Sequence, residues 1–245
     1  MKNNILLYAV MVFLLISCKD NSQNITKTAN SEGSKTAVQA SEEMPSGNIK
    51  DCKEGEALVF KGETFSSYTE NAIRGQGVVS FTMDINDRLT ILNEDDTSFG
   101  EIVLNEDMTY FTLTMPKKVV ARKVIPNYDF AAFDFDAETI NTDKEYLFIY
   151  VNKEKKKVKK TDLKFTFSTW ENYIKKQSIK LKACNLLKNA KGKDLYFDVL
   201  EIKGDEIKIK STKDCGGEDA PFENMEGNVK WKSGNVLLID FAVCN

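Results

Sequence analysis

The sequence predicts an all-β fold with one short connecting helix, carried behind a long polar N-terminal segment. Three observations predict it. From Ala57 onward, apolar residues mostly alternate with polar ones in short runs divided by turn residues, the period of half-buried strands. Only one stretch, after Ser168, carries apolar residues at helical spacing. In a chain of 245 residues, 42% hydrophobic and 29% charged side chains are ordinary globular values, enough for one large core or two smaller ones. Histidine is absent, which excludes Ser–His and Cys–His catalysis and histidine metal sites.

Residues 1–17 read as an address. Lys2 precedes the apolar run Ile5 to Ile16. As a helix those twelve residues would span about 18 Å, short of a hydrocarbon core of about 30 Å. A charged start and a short apolar run are the marks of a signal peptide. The run closes Leu15-Ile16-Ser17-Cys18. This resembles the lipobox of bacterial lipoproteins, which implies cleavage before Cys18 and acylation of that cysteine. Two or more acyl chains anchor a protein stably. Lys19 stands where aspartate resembles an inner-membrane retention signal, so the resemblance implies a lipid-anchored outer-membrane protein, on the periplasmic or the cell-surface face. Residues 18–49 are rich in Ser, Thr, Asn, Lys and Glu and contain no aromatic residue. Such a segment buries too little apolar surface to offset its ordering entropy and reads as a flexible tether.

Residues 50–98 read as an N-terminal β segment. Val78 to Met83 and Leu89 to Leu92 are strand-length runs, and Asn86-Asp87 suits the turn between them. Residues 99–167 continue the alternation at Phe111, Leu113 and Met115 and again at Tyr146 to Val151. Residues 168–183 form the connecting helix. Ser168-Thr169-Trp170-Glu171 fits a capping box, with Trp170, Tyr173 and Ile174 on one short face and an end expected near Ser178. Residues 184–245 return to strands at Ile202, Ile207, Ile209 and Val236 to Phe241.

An internal repeat flanks the helix. Phe135-Asp136 and Phe197-Asp198 begin similar strand–turn–strand orders, completed by Val158 in one copy and Val229 in the other. The run Val199 to Lys210, with its Gly204-Asp205 turn, and the later Gly227-Asn228-Val229 resemble the bacterial Src-homology-3-like domain. The resemblance covers the C-terminal 62 residues well and residues 99–167 weakly. It implies tandem small barrels on either side of the helix. Ile207 and Asn228 stand where that family often has groove aromatics, while Trp231 remains as a candidate ligand contact.

With Cys18 acylated, Cys52, Cys184, Cys215 and Cys244 remain, an even number in an oxidising compartment, and are disulfide candidates. Three connectivities are open, with Cys215–Cys244 slightly favoured because the two flank one short segment. A zinc site is not expected without a close Cys pair or histidine.

No phosphate-cradling glycine loop, nucleophile elbow or dinucleotide fingerprint occurs. Acidic clusters are what remains for catalysis. Glu94-Asp95-Asp96 reads as a solvated turn. Asp84 to Arg88 opens like a calcium loop but places Arg88 at a ligand position. Asp134 and Asp136 share one strand face, with exposure as the expectation for that face.

Charge is segregated. Residues 18–150 carry 13 basic and 23 acidic groups, residues 151–193 carry 14 and 3, and residues 194–245 carry 6 and 11. In the basic block Lys155, Lys156, Lys157, Lys159 and Lys160 are a candidate anion-binding row on an exposed turn. The linear sequence interleaves no aromatics with these lysines, which argues against nucleic acid. The expectation is a lipid-anchored envelope protein acting as a non-catalytic binding or scaffolding module. It carries no cofactor, is attached to the membrane through its anchor, and faces an anionic envelope component or protein. The alternatives are a carboxylate-dependent envelope hydrolase and a purely structural lipoprotein.

Overall fold

In the computed structural model the described residues are 52–53, 58–59, 65–67, 70–104, 111–113, 119–126, 130–187, 189–190, 194–215, 221–242 and 244. All lie within one folded unit, Glu43–Asn245. The expectations for the signal peptide, for Cys18 and for the tether lie outside the described residues.

The fold is all-β, with antiparallel sheets and one short helix among the described residues. Two brief N-terminal strands, β1 (Leu58–Val59) and β2 (Phe65–Ser67), come first. Six more follow: β3 (Gly77–Asp84), β4 (Arg88–Leu92), β5 (Ser98–Leu104), β6 (Phe111–Leu113), β7 (Val119–Ala121) and β8 (Lys123–Pro126). Next are β9 (Phe130–Ala137), β10 (Tyr146–Val151), β11 (Glu154–Lys159) and β12 (Phe165–Thr169). The helix α1 (Trp170–Ile174) leads to β13 (Ser178–Leu181) and a 3-10 turn, Ala183–Asn185. The chain ends with β14 (Tyr196–Lys203), β15 (Glu206–Thr212), β16 (Glu226–Lys230), β17 (Lys232–Ser233), β18 (Val236–Leu237) and β19 (Ile239–Phe241).

The large sheet has the order β12-β3-β9-β10-β11-β4-β5-β6, with β8 also on β9. The strands therefore recruit residues from both sides of the expected 98/99 boundary, and β5 runs across it. Within β3 and β9, Val79 faces Phe135 and Phe81 faces Phe133. These side chains, with Leu89, Ile91 and Ile149, are fully or almost fully removed from water and form the first core. The β10–β11 turn is built by Asn152 and Lys153, both at positive φ, as a tight two-residue hairpin turn demands.

The small sheet has the order β16-β15-β14-β13-β19. Its core gathers Ile179, Phe197, Ile209, Trp231 and Phe241 with Trp170, Tyr173 and Ile174 of the helix. Val78 of β3 also belongs to this second core. The N-terminal half of β3 is thus buried on both faces, and the helix and small sheet cover part of the large sheet's second face.

The helix differs from expectation by one residue at its start. Ser168 stays in β12, opposite Val78, and Thr169 still pairs with Gly77. Thr169 consequently takes the N-cap, its hydroxyl accepting from the Asn172 amide at 3.4 Å. The helix is a single turn and a half, since β13 already begins at Ser178. Gly77 has no room for a side chain there, because a Cβ would sit 2.1 Å from the Ser168 carbonyl oxygen.

Candidate binding cleft

The two faces of β9 separate chemistry from packing. Phe133 and Phe135 enter the first core, and Asp134 and Asp136 point the other way. The expectation that this polar face is exposed is corrected: Asp134 is 7% and Asp136 4% exposed. The reason is tertiary, because α1 and the small sheet lie over that face.

Each buried carboxylate is matched. Arg122 forms a fork on Asp136, with Nε donating to Oδ1 at 2.7 Å and Nη2 to Oδ2 at 2.6 Å. Its remaining donors reach the Glu70 carbonyl at 2.7 Å and the Ala72 carbonyl at 2.9 Å. The Arg122 guanidinium also lies 5.3 Å from the Trp170 ring centre. Asp134 accepts from the Tyr173 hydroxyl at 2.8 Å. Burial pushes the Asp134 carboxyl up from its ordinary range, and hydrogen bonds from Ser80 and Tyr173 and the charge of Lys123 pull it back. Burial likewise lowers the Lys123 ammonium, which donates to Gln177 Oε1 at 2.9 Å. These carboxylates are committed to joining the sheets.

The lysine row is also placed differently from expectation. Lys155, Lys156 and Lys157 lie within β11, paired with β10 on one side, and Lys157 faces Leu92 of β4 on the other. The exposed-turn expectation is corrected for Lys156 and Lys157, each 6% exposed. Lys157 Nζ meets Asp96 at 2.6 Å and the Glu94 carbonyl at 3.1 Å. Lys156 meets Glu154 at 2.7 Å, and Lys155 meets Glu94 at 3.5 Å. Lys160 donates to the Ile140 and Asp143 carbonyls, while Lys159 is exposed at the strand end. The interleaving missing from the linear sequence appears across strands: Lys155 sits 4.8 Å from the Phe148 ring and Lys157 4.8 Å from the Tyr146 ring. The acidic turn at 94–96 therefore neutralises much of this row.

The four cysteines form two bonds, Cys52–Cys184 and Cys215–Cys244, with Cα atoms 5.1 and 4.6 Å apart. The first closes 132 residues and ties the start of the folded unit to the 3-10 turn after β13. Beside it, Asn71 Nδ2 donates to the Cys52 carbonyl at 2.9 Å. The second closes 29 residues at the C-terminus.

Between the sheets opens a cleft of about 600 Å³, within the usual size of ligand sites. Gln76 and Glu138 line it from the large-sheet side, Thr169, Trp170 and Glu171 from the start of α1, and Trp231, Lys232 and Asn235 from the β16–β18 region. Trp231 is 1% exposed, and its indole N–H is spent on the Gly204 carbonyl at 2.8 Å. Its ring lies 4.8 Å from the Lys232 ammonium, so it serves as a wall of the cleft. Glu138 accepts from the Tyr150 hydroxyl at 2.7 Å. The Tyr150 hydroxyl is pushed up to about 12, first by burial and then by that carboxylate.

Glu138, Glu171, Gln76 and Asn235 were not among the residues singled out by sequence. They carry no shared motif, and the segments that bear them meet only when the sheets pack. The contacts Ile73 amide to Asn235 carbonyl, at 2.8 Å, and Leu237 amide to Asn71 carbonyl, at 2.6 Å, fix the two rims together. Among the described residues, no three Cys, Asp or Glu side chains gather as a metal site. Compared with protein-family models, curated proteins and solved structures, the chain matches none.

Proposed function

We propose that the chain is a lipid-anchored protein of the bacterial outer membrane and works as a non-catalytic binding or scaffolding module. The observation that carries the binding reading is the cleft, where both sheets and α1 contribute polar side chains to one concavity. The anchor reading rests on the signal-peptide pattern and on Leu15-Ile16-Ser17-Cys18. The tandem Src-homology-3-like reading rests on β14, β15 and β16, which carry the resembling residues and lie side by side. An anionic partner on the lysine row is the weaker choice, because Glu94, Asp96 and Glu154 already meet those ammonium groups.

Two measurements test the proposal. Cys18→Ala should shift the protein from the detergent-rich to the aqueous phase, or leave it as an uncleaved precursor. A variant of mature size that still enters the detergent phase quantitatively removes the anchor. Asn235→Phe narrows the cleft at an exposed position and should lower binding of the full chain to purified envelope fragments. Unchanged binding removes the cleft from the reading.

One observation favours a second reading, a carboxylate-dependent hydrolase: Glu138 and Glu171 line the same cleft. Paired carboxylates across a cleft are the equipment of glycosidic hydrolysis. Envelope material that is cleaved by the protein, and no longer cleaved by Glu138→Gln or Glu171→Gln, would establish it over the binding module.

A further inference from the structure

We infer that the cleft takes a neutral, hydroxyl-rich ligand, a short oligosaccharide, and this inference rests on the binding reading of that cleft. The lining decides the class by chemistry. Glu138 and Glu171 offer acceptor oxygens only, Lys232 offers donors only, and the amides of Gln76 and Asn235 offer both. An anionic ligand would meet two carboxylates, and a cationic one would meet Lys232. An apolar ligand would strip water from all five groups and return no hydrogen bonds, a loss that a buried polar group does not tolerate. A hydroxyl is at once donor and acceptor. A ligand with several hydroxyls can therefore give to the carboxylates, accept from the ammonium and pair with the amides in one pose. The indole walls of Trp170 and Trp231 supply the apolar surface that the C–H faces of a sugar ring need.

Two features add to this. Gln76 and Asn235 are exposed, and they sit on opposite rims that backbone hydrogen bonds hold in register. The hydrogen-bonding groups are therefore placed before a ligand arrives, which reduces the ordering cost of binding. The volume of about 600 Å³ suits more than one sugar ring.

The chain has two tryptophans, and both line the cleft, so intrinsic fluorescence reports on this site. The experiment titrates the full chain in detergent micelles with maltotriose, cellotriose and chitotriose, and with trigalacturonate as the anionic counterpart. At least one neutral trisaccharide should shift or quench the emission saturably, with trigalacturonate binding more weakly. Gln76→Ala combined with Asn235→Ala should weaken that binding about tenfold, the worth of one or two neutral hydrogen bonds. No saturable change with any neutral trisaccharide overturns the inference, and so does tighter binding of trigalacturonate. The two readings fail separately. If the sugars do not bind but Asn235→Phe still abolishes envelope binding, the cleft is a site for another ligand class. If Asn235→Phe leaves envelope binding intact, the cleft reading itself falls.

Discussion

At the scale of single residues, Arg122 is the side chain on which the junction of the two sheets depends. It is 5% exposed, and it satisfies one carboxylate and two backbone carbonyls with one guanidinium. Removing one partner of a buried pair leaves the other charge uncompensated, at a cost of about 3–5 kcal/mol. Arg122→Leu should lose stability in that range by urea unfolding, and Arg122→Leu combined with Asp136→Leu should lose less than the single change. Asp134 has a different signature. Its folded carboxyl is raised above the ordinary 3.8, chiefly by burial. A raised acid contributes stability that is complete below its unfolded value and is lost as pH rises through its folded value. The melting temperature of the protein should therefore fall along a limb that starts near pH 4. Asp134→Asn, which still offers the Tyr173 hydroxyl an acceptor, should flatten that limb. A limb of equal depth in the variant would assign it to another group.

At the scale of elements, β11 shows how pairing changes the meaning of a charge run. Read along the chain, residues 153–160 are a basic block with one acid in it. Folded, Lys155 and Lys157 lie over the rings of the neighbouring strand, and Lys156 turns to the other face, 4.4 Å from the Phe99 ring. Lysine stems cover apolar surface while the ammonium finds a partner. Lys156→Gln and Lys157→Gln should each destabilise by about 1 kcal/mol, and Lys159→Gln by less than about 0.5 kcal/mol. Equal, negligible effects at all three would restore the exposed-turn expectation. The same strand explains why the resemblance to small barrels along residues 99–167 was difficult to use. The partners β3 and β4 come from before residue 99, and a repeat offset along the chain carries no information about which strands are neighbours.

At the scale of the molecule, the two disulfides divide the constraint unequally. In the chain-entropy account a loop of 29 residues contributes about 3.5 kcal/mol and one of 132 residues about 5 kcal/mol. Cys52→Ser with Cys184→Ser should therefore lower stability more than Cys215→Ser with Cys244→Ser, as unfolding midpoints without reductant would show. The reverse order would mean that the long loop stays compact in the unfolded chain. The first bond has a second consequence. Cys52 immediately follows the polar segment that reads as a tether, so any pull along that segment reaches the small sheet through Cys184 and does not pass first through β1 and β2.

The strand content, the short helix after Ser168, the hairpin turns at 86–87 and 204–205 and the even set of cysteines were legible in the sequence. Each is local: alternation, a hydroxyl before a helical run, a turn residue or a count specifies it within a few neighbours. The reading of Cys18 as an anchor is of the same local kind. The cysteine pairing, the burial of Asp134 and Asp136, the neutralisation of Lys155 to Lys157 and the assembly of Gln76, Glu138, Glu171 and Asn235 into one cleft depended on tertiary structure. These depend on which strand lies beside β9, β10 and β11 and on what covers the second face of the large sheet. A period-two pattern says that a strand has two faces. Whether the polar face meets water or another layer is a property of the packed molecule.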